Sequence, residues 1–313
     1  LPSRKVVVIA IVLFAFAGSW LGKRILYGPE PAGTGVPVPA GPRIPVQGAC
    51  GRIVSLAPSI TEILFMLGLG DRVAGVTRYC NFPPAARTRP RIGGYDDPSY
   101  EAVVALNPDL VVLLPEHEAA GENLGKLGFP LLVVDHRSIS GILNSMETIG
   151  KACGVERKAM SVTRELRERM ERIRRATEGL PRPRVLLSVG RNMGSGSLED
   201  VYVSGRTVFY DEMISLAGGV NAYRGDIAFP VLSREGMIRM NPGVIIDMIP
   251  DFDEKGLARA AILREWETVS PVDAVKNGRV YVFGEDYVAV PGPRFILIAE
   301  KMARAIHPEA AWE

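Results

Sequence analysis

Two short runs carry the groups that move protons or hold metals, Glu116-His117-Glu118 and Asp135-His136-Arg137. Each follows an apolar run, 110–114 and 131–134, so each sits where a strand would end. Glu116, His117 and His136 could assemble a metal-dependent hydrolase, with imidazoles for the ion and a carboxylate for the proton. The plainer reading is a loop after each strand, and the rest of the sequence favours it. His307 is remote and no CxxC pair occurs, so the spacing of a dedicated zinc site is missing. A phosphate loop (GxxxxGKS/T), a nucleophile elbow (GxSxG) and a dinucleotide fingerprint (GxGxxG) are absent as well. Gly190-Arg-Asn-Met-Gly194-Ser-Gly196 follows a strand-like run without any of these spacings and reads as a flexible loop. The sequence therefore predicts no catalytic residue and no metal-ligand set.

The charge distribution excludes another class. Of 37 Lys and Arg and 35 Asp and Glu in 313 residues, five basic residues and one acid precede Cys50. That leaves 32 basic and 34 acidic residues in the remainder, a slightly acidic body that makes a poor partner for nucleic acid. The N-terminal excess has its own meaning. Arg4 and Lys5 precede sixteen uncharged residues, 6–21, which as a helix would be about 24 Å long. Ala15-Phe16-Ala17 offers a cleavage site, whereas Lys23 and Arg24 suit an uncleaved anchor. Residues 1–27 are thus an export signal or an anchor, and either exports the body. Residues 28–49 are dense in Pro and Gly and read as a semi-extended linker. Gln47 stands where a lipidation signal before Cys50 would carry an aliphatic residue, which argues against a lipid there. Cys50, Cys80 and Cys153 allow one disulfide and one thiol, with the pairing open.

The elements that must position any site follow an α/β rhythm. From Arg52, short apolar runs at 53–56, 73–76, 110–114 and 131–134 alternate with helical patterns, and the rhythm restarts after Pro181 with runs at 185–189, 244–248 and 280–283. Fully apolar strands separated by helices predict parallel sheets covered on both faces. Two Rossmann-like α/β lobes, 50–154 and 181–313, are the economical reading. Between them, 155–180 shows one apolar stripe through Val155, Val162, Leu166, Met170, Ile173, Ala176 and Leu180. Glu165/Arg169 and Glu168/Arg172 are spaced as i,i+4 pairs on its wet face. This long helix predicts a stiff strut that permits small lobe motions. An internal repeat links the lobes: Glu101 and Glu235 each stand six residues before an Asn-Pro, Asn107-Pro108 and Asn241-Pro242, with an apolar strand next. Two equivalent carboxylates are either helix-start acids or a pair suited to a two-fold symmetric partner.

Several motifs carry a family resemblance. Arg52-Ile-Val-Ser-Leu-Ala-Pro-Ser-Ile-Thr-Glu-Ile-Leu64, the Arg78-Tyr-Cys-Asn-Phe-Pro-Pro84 loop, Gly93-Gly94 and the first repeat resemble the N-lobe of the helical-backbone (class III) periplasmic substrate-binding proteins of ABC importers. Val203-Ser-Gly205, Leu216-Ala-Gly-Gly-Val-Asn-Ala222 and Phe229-Pro-Val-Leu-Ser-Arg-Glu235 resemble its C-lobe. The family serves cobalamin, ferric siderophores and haem. The resemblance implies a ligand held between lobes, with Tyr79 and Tyr95 facing it from the first and Phe229, Asp286 and Tyr287 from the second. Aromatic faces suit a broad corrin ring. Arg78 and Arg191 would instead suit an anionic siderophore or haem propionates, unless they pair locally.

The resemblance also implies that Glu101 and Glu235 meet arginines on the two subunits of a permease driven by its ATPase. The expectation is a monomeric periplasmic protein, free or tethered to the inner membrane, that captures a metal chelate without turnover. Cobalamin or another corrinoid is first choice, and a ferric siderophore or haem second.

Overall fold

The computed structural model describes residues 50–312, apart from 194, 195, 207, 253–255 and 257. The expected signal or anchor and the linker lie outside the described residues. Among the described residues, no helix is long and apolar enough to cross a membrane.

The chain folds into two compact units. One contains the residues up to His136 together with Ser140–Thr163, and the other Arg137–Ile139 together with Arg164 onward. The first unit is built on four parallel strands, β1 (Ile53–Ser55), β2 (Val73–Val76), β3 (Leu110–Leu113) and β4 (Leu131–Val133), in the order β2-β1-β3-β4. β1 and β3 are buried along their whole length, as a sheet covered on both faces requires. Helices α1 (Pro58–Met66), α2 (Tyr100–Leu106) and α3 (Glu118–Lys126) follow or connect these strands. Val54, Leu56, Val103, Val111, Leu113 and Leu124 form part of one apolar core. The chain leaves β1 toward β2 on one side and returns to β3 on the other, which makes the carboxyl ends of β1 and β3 a topological switch point.

Helices α4 (Ile139–Ala152) and α5 (Glu156–Thr177) close the first unit and lead into the second. The division between units falls inside α5, between Thr163 and Arg164. Val162, Leu166, Met170 and Ile173 are buried along it, as the stripe predicts. Helix α5 is shorter than 155–180 because Gly179, at positive φ, lies beyond its last turn. The expected Glu165/Arg169 pair is outcompeted. The Arg169 guanidinium makes a two-pronged bond to Glu300, at 2.8 and 2.7 Å. Cys50 and Cys153 form a disulfide across 103 residues, and Cys80 is the buried free thiol. Cys50 is therefore committed to a crosslink, which agrees with the argument against a lipid there.

The second unit contains β5 (Arg184–Asn192), β6 (Glu199–Val203), β7 (Val220–Asn221), β8 (Val231–Leu232), β9 (Val244–Met248) and β10 (Val280–Phe283). Its path is β10-β9-β5-β6-β8, with β7 beside β5. The sheet is mixed where the sequence predicts only parallel pairing: β9, β10 and β7 run parallel to their partners, and β6 and β8 antiparallel. The cause lies in the glycine-rich run expected to be a loop. Residues 190–192 continue β5, and the chain turns back at once into β6, which a short connection allows only for an antiparallel pair. Helices α6 (Phe209–Leu216), α7 (Arg234–Met240), α8 (Arg259–Trp266), α9 (Asp273–Lys276) and α10 (Phe295–Ile306) complete the unit. Trp266 lies fully buried in its core with Leu186, Val201, Met237 and Ile245.

Candidate functional site

In the first unit the loops at the strand ends hold the aromatic candidates. Tyr79 follows β2 in a turn pinned from below by Arg91, whose guanidinium donates to the carbonyls of Thr77 and Cys80 at 2.8 and 3.0 Å. The Arg78 guanidinium stands 5.9 Å over the Tyr79 ring and pairs with Asp97 at 3.2 Å. Arg78 thus pairs locally. Tyr95 follows a turn that requires glycine: Gly93 has a φ of +101°, and a Cβ there would lie 2.6 Å from the Asp97 carbonyl oxygen.

Tyr95 and the Glu116-His117 run meet. The Tyr95 hydroxyl donates to Glu116 Oε1 at 3.0 Å, and its ring packs edge-on to His117 with centroids 4.4 Å apart. Burial, with the Glu116 charge beside it, pushes the Tyr95 hydroxyl well above the usual phenol range. His117 is 3% exposed, and burial holds its imidazole down to about 4. Its Nδ1 accepts the Leu114 backbone N–H at 3.1 Å. His136 shares a 2.8 Å bond with the Ser59 hydroxyl at the start of α1, and burial brings it too down to about 4. Among the described residues, no group of three or more His, Cys, Asp and Glu side chains is placed to hold a metal ion.

In the second unit, Phe229 is half-buried in a segment held by the family-like motifs. The Gly205 N–H donates to the Ala228 carbonyl at 2.8 Å, and a Cβ at Gly205 would lie 2.0 Å from the Ile227 oxygen. Asn221 donates to the carbonyls of Ser204 and Gly205, both at 3.1 Å, and fixes that loop from behind. Asp286 and Tyr287 share one partner. Arg294, 8% exposed, donates to Asp286 Oδ1 at 2.8 Å and stands 5.1 Å over the Tyr287 ring. Tyr287 is half-buried, and that burial raises its hydroxyl above the usual range.

Arg191 also pairs locally. It lies in a bulged stretch of β5, and its side chain is 1% exposed. Its Nε donates to Asp247 Oδ2 at 3.0 Å, a second nitrogen makes a close ion pair with Glu265, and Trp266 donates to the same Asp247 oxygen at 2.8 Å. Two buried carboxylates hold it in the core, the local pairing that the sequence left open. Gly190 and Asn192 lie in the same irregular stretch of pairing, and nothing in the sequence marks that irregularity.

The internal repeat is structural down to its caps. Ser99 and Ser233 cap α2 and α7 by accepting the N–H of Ala102 and Gly236, at 3.2 and 3.1 Å. Asn107 and Asn241 end the same helices in the left-handed conformation, at φ 41° and 45°. Glu101 and Glu235 are exposed at the second helical position of each, and Val104 and Ile238, one turn on, are 48% and 38% exposed. The serines two residues before each glutamate were readable as caps and extend the repeat.

Residues 53–287 match the periplasmic binding protein family. The chain is 29% identical over 266 residues to an uncharacterized ABC transporter substrate-binding lipoprotein of Bacillus subtilis, covering 82% of this chain and 80% of that protein. It is 29% identical over 269 residues to a cobalamin-binding protein of Halobacterium salinarum, covering 82% and 69%. The solved structure of the periplasmic haem-binding protein of Vibrio cholerae superposes with a TM-score of 0.72 at 20% identity, covering 83% and 100%. A two-lobed α/β fold with one parallel and one mixed sheet is the class III binding-protein fold. The chain belongs to the periplasmic binding protein family. It is a non-enzymatic substrate-binding protein of the ABC transporter type, which removes the hydrolase alternative.

Proposed function

We propose that this protein captures a corrinoid, cobalamin in the first instance, outside the cytoplasmic membrane and delivers it to an ABC permease dimer with its ATPase. The observation that carries the choice is the Tyr95–Glu116 hydrogen bond. An iron-binding tyrosine must give up its proton, and a carboxylate beside it opposes that. Tyr95 is suited instead to offering an aromatic face, as are Tyr79, Phe229 and Tyr287. The relative named as cobalamin-binding, at 29% identity, supports the same reading.

Haem or a ferric siderophore is the second reading, supported by a solved haem-binding protein that shares the fold. Within either reading, Glu101 and Glu235 are the docking carboxylates, and Asp286, exposed beside its partner Arg294, faces the ligand. Calorimetric titration of the purified protein with cyanocobalamin, haemin and ferric siderophores separates them. One-to-one submicromolar binding of cyanocobalamin is expected; binding of haemin or a ferric siderophore alone would transfer the assignment to the second reading.

A further inference from the structure

The first unit has two ends, and the proposed function uses one of them. Tyr79, Tyr95 and Glu116 follow the carboxyl ends of β2 and β3. At the amino ends stand Cys50 before β1, Arg72 before β2 and Leu127 before β4, so the parallel sheet places them on one face. Three strand spacings, about 15 Å, separate its edges. The Cys50–Cys153 disulfide and a 3.0 Å bond from Arg72 to the Cys153 carbonyl add the corner between α4 and α5 to that face. Exposed cations crowd it: Lys126 and Lys151 in the last turns of α3 and α4, Arg157 and Lys158 in the first turn of α5. Most of its acids are engaged. Asp71 pairs with Arg89 at 3.4 Å, and Asp109 accepts the Gly51 and Arg52 N–H groups at 2.8 and 3.1 Å, which leaves Glu156. A last-turn lysine complements the helix dipole, but Arg157 and Lys158 oppose it, and no ion pair among the described residues holds them there. Two large apolar side chains stand among these charges, Met160 at 60% and Leu127 at 52% exposure.

The N-terminal chain enters the unit at this same face. We propose that the face lies on the membrane: in the anchored protein it rests on anionic phospholipid headgroups, with Lys126, Lys151, Arg157 and Lys158 at the phosphates and Leu127 and Met160 in the headgroup layer. The proposal rests on the anchor reading of residues 1–27. A linker the length of 28–49 reaches about 25 Å as a flexible coil and about 70 Å fully extended. Such a tether keeps the local lipid concentration high, so a weak surface contact suffices. Each exposed cation adds to the attraction, which fades within a Debye length. This resting pose turns the loops after β2 and β3 away from the bilayer, toward arriving ligand.

The full chain is tested in vesicles of equimolar phosphatidylglycerol and phosphatidylcholine whose headgroups carry a nitroxide. Retention through an alkaline wash reports on the anchor alone. Loss in that wash overturns the anchor reading and the tethered pose with it. Cys80 is buried and the other two cysteines are crosslinked, so a bimane label goes to an introduced thiol. In the retained protein, bimane on Met160→Cys is expected to be quenched several-fold more than bimane on Val133→Cys, at the carboxyl end of β4. The difference is expected to vanish in phosphatidylcholine alone, at high salt, and in the Arg157→Glu/Lys158→Glu variant. That variant places acids where the helix dipole favours them, so a loss of quenching there is not a loss of folding. Equal quenching of the two labels in an anchored protein overturns the membrane face while leaving the anchor in place. Quenching at Met160→Cys that ignores lipid charge and the glutamates overturns it too, and a signal that depends on protein density assigns the face to a second copy instead.

Discussion

The Tyr95 hydroxyl donates a hydrogen bond to Glu116 Oε1 across 3.0 Å, joining the turn after Gly93-Gly94 to the end of β3. The bond fixes the edge of an aromatic ring, and in the proposed function it is the face that serves the ligand. Tyr95→Phe is therefore expected to keep cyanocobalamin affinity within about threefold, and Tyr95→Ala to lower it about 5- to 20-fold, in calorimetry. Loss of all binding in Tyr95→Phe would point to a phenolate ligand and to iron.

Replacing Arg191 by Leu removes the cation that lies between the buried carboxylates of Asp247 and Glu265. A loss of about 3–5 kcal/mol is expected in urea unfolding, with ligand affinity in the surviving folded protein unchanged. A weaker ligand affinity at unchanged stability would restore Arg191 to the binding site.

Glu101 and Glu235 are exposed in the first turns of helices that Ser99 and Ser233 cap, so changing them should spare the ligand. Each alanine variant is expected to weaken permease binding about 2- to 5-fold and to leave cyanocobalamin affinity unchanged. Val104→Asp and Ile238→Asp, one turn further along the same helices, are expected to act in the same direction. A ligand defect in the double glutamate variant would remove both from the docking surface.

His117 and His136 are each held down to about 4 in the folded protein, against about 6.5 when unfolded. Between those values the unfolded chain binds protons that the native one does not, so stability falls as pH drops from 6.5 toward 4 and is untouched by these groups above 6.5. Each histidine is expected to add up to about 1.4 kcal/mol per pH unit to that slope. Denaturant midpoints across this range, compared with those of His136→Phe, check the sign and the share.

The parallel sheet of the first unit was legible because fully apolar runs of four residues admit few other structures. The antiparallel edge of the second unit was not, because β6 mixes Glu199, Asp200 and Tyr202 with two valines and carries no continuous apolar signal. The local placement of the candidate residues was legible in part. Tyr79, Tyr95, Phe229 and Tyr287 stand on strand-end loops or turns, as their motifs imply. The fate of Arg191 depended on a bulge and on Asp247 and Glu265, residues 56 and 74 positions away, a pairing that no local pattern encodes. Arg294 was missed because Asp286 and Tyr287, which it meets, lie in a turn, beyond the reach of helical spacing.

The Cys50–Cys153 crosslink has a mechanical side. β1 is an interior strand of its sheet and follows Cys50 by three residues, so a pull on the preceding chain would otherwise peel it out from between β2 and β3. The disulfide diverts that force to the corner between α4 and α5 and leaves the 103-residue loop slack. A force applied at residue 49 would pull on the base of the long helix, and the first sheet would stay out of the load path.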